Sequence, residues 1–174
     1  MDKLLKLNFF ELFGIEPVFN INLEQIQSNM RELQKQYHPD KYSNQATEIA
    51  NQSLILSSYI NEAYRTLSSS LLRALYLLKL RGVEIDLVHE TRFSHAFLLE
   101  QIEVREAIDE ARDNQDFDQL LAIENELQAK EQNLVQQIAE LFINDKLDLI
   151  TEPIKQLSFY VKLQQLVANS IAEI

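Results

Sequence analysis

The sequence predicts an all-α fold: an N-terminal helical hairpin over residues 1–80, a connection over 81–91, and a C-terminal acidic three-helix bundle over 92–174. Three observations predict it. Apolar residues make up 46% of the 174, enough to bury a core. Only two glycines and three prolines occur, whereas sheet-rich folds need many turn residues. Apolar positions recur at intervals of three and four, the period of an amphipathic helix.

Asn8 to Phe13 reads as a short helix ended by Gly14 and Pro17. A second helix starts near Asn22, with Leu23, Ile26, Met30, Leu33 and Tyr37 forming one stripe. Pro39 ends it, because the residue before a proline is pushed out of the α region. His38 to about Gln45 is a polar loop. A third helix runs from about Ala46 to Leu67, offering Ile49, Leu56, Ile60, Ala63, Tyr64 and Leu67 to a core. Ser68-Ser69-Ser70 interrupts the pattern, and Leu71–Leu80 is a further short helix.

Arg81–Glu90 contains Gly82 and lacks helical period, so it reads as the connection between modules. Three helices follow, at about 92–112, 116–143 and 147–172. Asp113-Asn114 and Asn144-Asp145 supply turn and capping chemistry between them. Pro153 requires the last helix to begin near Thr151 or to kink there.

Charge is divided unevenly. Residues 1–80 hold eight Lys/Arg and eight Asp/Glu, whereas residues 81–174 carry the whole net charge of −11. Two modules with different electrostatics suggest different partners. Nucleic acid is not expected among them, because binding phosphates needs a basic surface. Cysteine is absent, which excludes disulfides and thiolate metal sites and fits a reducing cytoplasm. No apolar run approaches the ~18 residues of a membrane span. Asp2, Lys6, Asn8 and Glu11 break up any signal-peptide core.

The candidate chemistry lies in Gln36-Tyr37-His38-Pro39-Asp40-Lys41-Tyr42, between two amphipathic helices that would present it at their tip. Arg31 and Lys35 are four residues apart and share a helix face, and Lys41 extends that basic strip into the loop. Such a strip would steer docking onto an acidic partner. The plainer alternative for His38 and Asp40 is a helix cap followed by a solvated turn. A metal site lacks further ligands nearby. A His-Asp hydrolase lacks a nucleophile motif and glycine for an anion-binding loop. His89 and His95 read as ordinary surface or packing residues.

The first helix of the acidic half carries a different signal. With Phe97 at zero and about 100° per residue, Phe93, Val104, Ala107, Ile108 and Ala111 cluster within about 80° of it as a core face. Leu98, Ile102 and Leu99 fall at about 100°, 140° and 200°, rimmed by Glu103, Glu106 and Asp109. An apolar patch with an acidic rim suits a protein interface. The same residues could instead pack on the connection or on the N-terminal module. In the last helix Phe159 lies away from the Ile154/Leu157/Val161 stripe, but Leu163 and Leu166 share its side, so spacing alone argues weakly for its exposure.

Three motifs in order resemble the J-domain family: Asn8-Phe9-Phe10-Glu11-Leu12-Phe13-Gly14-Ile15, Tyr37-His38-Pro39-Asp40-Lys41, and Ile60-Asn61-Glu62-Ala63-Tyr64-Arg65-Thr66-Leu67. The Gly/Phe-rich linker and β-sheet substrate domains of generic J-proteins are missing. Ala96-Phe97-Leu98-Leu99-Glu100-Gln101-Ile102-Glu103-Val104-Arg105-Glu106 and Arg73-Ala74-Leu75-Tyr76-Leu77-Leu78 are instead similar to the bacterial HscB family of iron–sulfur assembly co-chaperones.

The resemblance covers essentially the whole chain. It implies a non-enzymatic protein without a cofactor that stimulates the ATPase of a DnaK-type, HscA-like chaperone through His38, Pro39 and Asp40, helped by Arg31, Lys35 and Lys41. It further implies that Leu98, Leu99, Ile102 and Phe159, with Glu103 and Glu106, bind the scaffold protein IscU. The family often has Met at the position of Leu99, Leu at that of Ile102, and a proline near Ser68-Ser69-Ser70. A cytoplasmic monomer is expected. Service to another client is the alternative within the family, and a purely structural helical protein the alternative outside it.

Overall fold

The computed structural model describes residues 1–87 and 93–174. His89 and residues 88–91 of the expected connection lie outside the described residues. The helices are α1 (Phe9–Leu12), α2 (Leu23–Tyr37), α3 (Thr47–Ser68), α4 (Ser70–Leu80), α5 (His95–Asp113), α6 (Phe117–Ile143) and α7 (Thr151–Glu173). They fall into two compact units, Met1–Glu84 and Ile85–Ile174.

In the first unit α2 packs against α3, and α1 and α4 both pack on α3 as well. Phe10, Ile26, Leu56, Ile60, Leu67, Leu77 and Leu78 are fully buried there. Local chemistry sets the helix ends. Asn8 and Glu11 form a reciprocal capping box at the start of α1. The Asn22 side chain accepts from the backbone N–H of Glu24 and Gln25 to start α2. Ser69 both ends α3 and caps α4, accepting from Leu72 N–H, so the serine run is a helix junction.

Two expected core residues are exposed. Leu23 is the first residue of α2 and Ile49 lies in the first turn of α3, so both sit at helix starts, and both are exposed. The expected polar loop after His38 is also more ordered than its composition suggests, because Pro39–Tyr42 is a 3₁₀ turn.

Arg73 explains the Arg73-to-Leu78 segment. It is buried, donates from Nε to Phe19 O at 2.8 Å and from a terminal nitrogen to Leu67 O at 2.5 Å, and lies over the Phe19 ring at 4.9 Å. Burial pulls its guanidinium down to about 10, which still leaves it charged at neutral pH. The Tyr76 hydroxyl accepts from Phe9 N–H at 3.1 Å, and its ring stacks on Phe9 at 4.4 Å.

In the second unit α5, α6 and α7 all pack against one another around Ile108, Leu120, Leu127, Ile138, Ile150 and Leu163. The connections are short, so neighbouring helices alternate in direction. Pro153 sits in the first turn of α7, after a 3₁₀ turn over Leu147–Leu149. Among the described residues, no helix is long and apolar enough to cross a membrane.

Four helices end alike. The Gly14, Gly82, Gln115 and Asp145 N–H groups bond back three residues, and the next N–H bonds back five, to Phe10, Leu78, Ala111 and Leu141. All four residues have positive φ, which glycine adopts freely but Gln115 (55°) and Asp145 (52°) do not.

Candidate functional site

The geometry at the end of α2 follows from Pro39. His38 is held extended, with φ −60° and ψ 132°, and closes α2 while opening the 3₁₀ turn. Its Nδ1 accepts from Asp40 N–H at 3.3 Å and lies 3.5 Å from Asp40 Oδ2. Lys41 N–H donates to His38 O at 3.0 Å. Ser43 Oγ donates to Asp40 O at 2.9 Å, and the Tyr42 hydroxyl returns to Gln36 O at 3.1 Å.

The turn is therefore closed by its own residues, and much of the His38 and Asp40 side chains is left outside. The His38 side chain is 54% exposed and that of Asp40 is 90% exposed. Pro39 is half-buried, and Arg31, Lys35 and Lys41 are all exposed. Tyr42 and Ser43 are the supporting residues that spacing did not single out. Among the described residues, no group of three or more His, Asp or Glu side chains is placed to hold a metal ion.

On α5 the structure divides the faces where helical spacing does. Phe97, Ile108 and Ala111 are buried, while Leu98, Leu99 and Ile102 are 40%, 48% and 52% exposed. Glu103 and Glu106 are exposed beside them. Phe159 is half-buried. Its ring meets Phe93 edge-on at 4.7 Å and Phe97 at 5.7 Å, so it adjoins the face of α5 that packs inward. Phe159 therefore belongs to an aromatic cluster with Phe93 and Phe97. Lys162 lies over the Phe159 ring at 5.3 Å, and Lys155 over Phe93 at 5.2 Å. The first cation was legible as an i,i+3 neighbour; the second has no local signal.

A polar cluster that spacing did not reveal joins the three helices. Glu100 Oε1 accepts from Lys130 Nζ at 2.6 Å and from the Tyr160 hydroxyl at 3.2 Å. Lys130 also pairs with Glu126 at 2.9 Å. Burial alone would lower the Lys130 ammonium, but its hydrogen bonds to Glu100 and Glu126 outweigh it and hold the group above its ordinary value. Burial first, then the Glu100 carboxylate, pushes the Tyr160 hydroxyl up. The neighbouring Gln101 amide is buried and makes no direct hydrogen bond among the described residues.

Residues 94–168 match the family model described as the HSCB C-terminal oligomerisation domain. A co-chaperone protein HscB homolog from Psychromonas ingrahamii is 40% identical over 91% of this chain and 93% of its own length. Its counterpart from Neisseria meningitidis serogroup A is 34% identical over 94% of this chain and 98% of its own. The solved structure of the chaperone HscB from Vibrio cholerae superposes with a TM-score of 0.83 at 28% identity, covering 96% of this chain and 99% of that one. With the helical order, the His-Pro-Asp turn and these matches in agreement over nearly the full length, the chain belongs to the HscB family of co-chaperones.

Proposed function

We propose that this co-chaperone stimulates ATP hydrolysis by a DnaK-type, HscA-like chaperone and delivers to it the scaffold protein IscU, assisting the maturation of iron–sulfur proteins in the cytoplasm. The observation that carries this reading is the exposed His38-Pro39-Asp40 turn at the end of α2. Arg31, Lys35 and Lys41 supply the positive charge that steers it onto an acidic surface. The turn accelerates hydrolysis by binding one conformational state of the chaperone better than the other. Leu98, Leu99 and Ile102 hold the scaffold, with Phe159 at the edge and Glu103 and Glu106 as the polar rim. Carrying both sites on one monomeric chain raises the effective concentration of cargo near the chaperone. The protein needs no cofactor and catalyses no reaction itself.

Steady-state ATPase of the chaperone, with and without IscU, tests the proposal. His38→Gln is expected to leave the circular dichroism spectrum unchanged and to abolish stimulation. Stimulation at the wild-type level would overturn the role of the turn. The Leu98/Ile102/Phe159→Ala variant is expected to lose IscU binding while stimulating normally in its absence. Capture of a different client by the wild type, with IscU left free, would favour the alternative cargo.

A further inference from the structure

Two lysines of α7 meet the aromatic cluster, and their charges are treated differently. Lys155 is buried, lies over Phe93 at 5.2 Å and has Glu152 at 3.8 Å, so its charge is answered within the chain. Lys162 is exposed and lies over the Phe159 ring at 5.3 Å. Its neighbours on the helix surface, three and four residues away, are Ser158, Phe159, Gln165 and Leu166, none of them acidic. Among the described residues Lys162 is in no ion pair, although its half of the chain carries the whole net charge of −11.

Packing does not call for a cation at this position. An exposed ammonium over a phenyl ring is a weak contact, and the stem of any long side chain would cover the ring as well. The charge itself is therefore open to a partner. Phe159 is half-buried, with Phe93 and Phe97 against its ring. A partner that touches the rest of that ring comes within reach of the Lys162 ammonium. The charges on α5 beside the exposed apolar residues have the opposite sign, Glu103 and Glu106.

We propose that Lys162 is a specificity-determining residue of the cargo surface, pairing with a carboxylate that the cargo presents beside the apolar group seated on Phe159. The acidic rim on α5 selects a basic group and the cation on α7 an acidic one. Cargo docked the other way round would set like charges against each other at both places, so one orientation is favoured. This rests on the reading of Leu98, Leu99, Ile102 and Phe159 as the scaffold-binding surface.

The test is the IscU affinity of the full chain by titration calorimetry at low and at high salt, with circular dichroism checking each variant's fold. Lys162→Met keeps an unbranched stem over the ring and removes the charge. It is expected to weaken binding about threefold at low salt, and Lys162→Glu about tenfold. Both losses should shrink at high salt, as a loss of packing would not. Lys162→Arg is expected to bind like the wild type. Lys146→Glu makes the same change in net charge at the connection ahead of α7, and is expected to leave affinity within about twofold. Wild-type or tighter binding by folded Lys162→Glu protein overturns the proposal. So does a loss that persists at high salt, or an equal loss in Lys146→Glu, which would trace the effect to net charge. If Lys162→Glu fails to fold, Lys162→Met carries the same test. Normal affinity in the Leu98/Ile102/Phe159→Ala variant would sink the functional reading. Loss in that variant with none in Lys162→Glu would remove the assignment of Lys162 alone.

Discussion

Gln115 and Asp145 hold the left-handed conformation that ends α5 and α6, at the positions where Gly14 and Gly82 end α1 and α4. An L side chain there costs about 1 kcal/mol relative to glycine. Gln115→Gly and Asp145→Gly are each expected to raise stability by roughly 0.5–1 kcal/mol, read from denaturant unfolding. Destabilisation by either would mean that the side chain contributes more than its strain costs. The sequence marked the turns through Asp113-Asn114 and Asn144-Asp145 but did not single out Gln115 or Asp145 as the left-handed residue, because nearly any residue can take that place at such a cost. The His-Pro-Asp turn was legible for the opposite reason. Its proline, its cap and its hydrogen bonds all lie within eight residues, from Gln36 to Ser43.

At the scale of the element, α4 depends on one buried cation. Arg73 ties it to Leu67 at the end of α3 and to Phe19 ahead of α2. Arg73→Ala would leave two carbonyls without a donor and open a void beside Phe19, at a cost of about 3 kcal/mol. Urea unfolding measures it, and a loss below about 1 kcal/mol would mean that water replaces the guanidinium freely. Periodicity found α2 and α3 because each buries a stripe. It misplaced Leu23 and Ile49 because a stripe says nothing about where the neighbouring helix stops. The Glu100 cluster was out of reach for a different reason: Glu100 is 30 residues from Lys130 and 60 from Tyr160, and no local pattern encodes such a meeting.

Across the whole molecule, each unit has its own core, in keeping with the charge boundary near residue 80. The fragments 1–84 and 85–174 are expected to fold separately. The first should stimulate the chaperone without responding to scaffold, and the second should bind scaffold without affecting hydrolysis. Circular dichroism and the ATPase assay check this, and a first fragment that is folded but inactive would show that the turn needs the acidic half.

The imidazole of His38 spends its inner nitrogen on the amide of Asp40, so in the neutral ring the proton resides on the outer nitrogen. A visiting protein thus meets one hydrogen to accept from the ring and a carboxylate ready to receive one of its own, side by side.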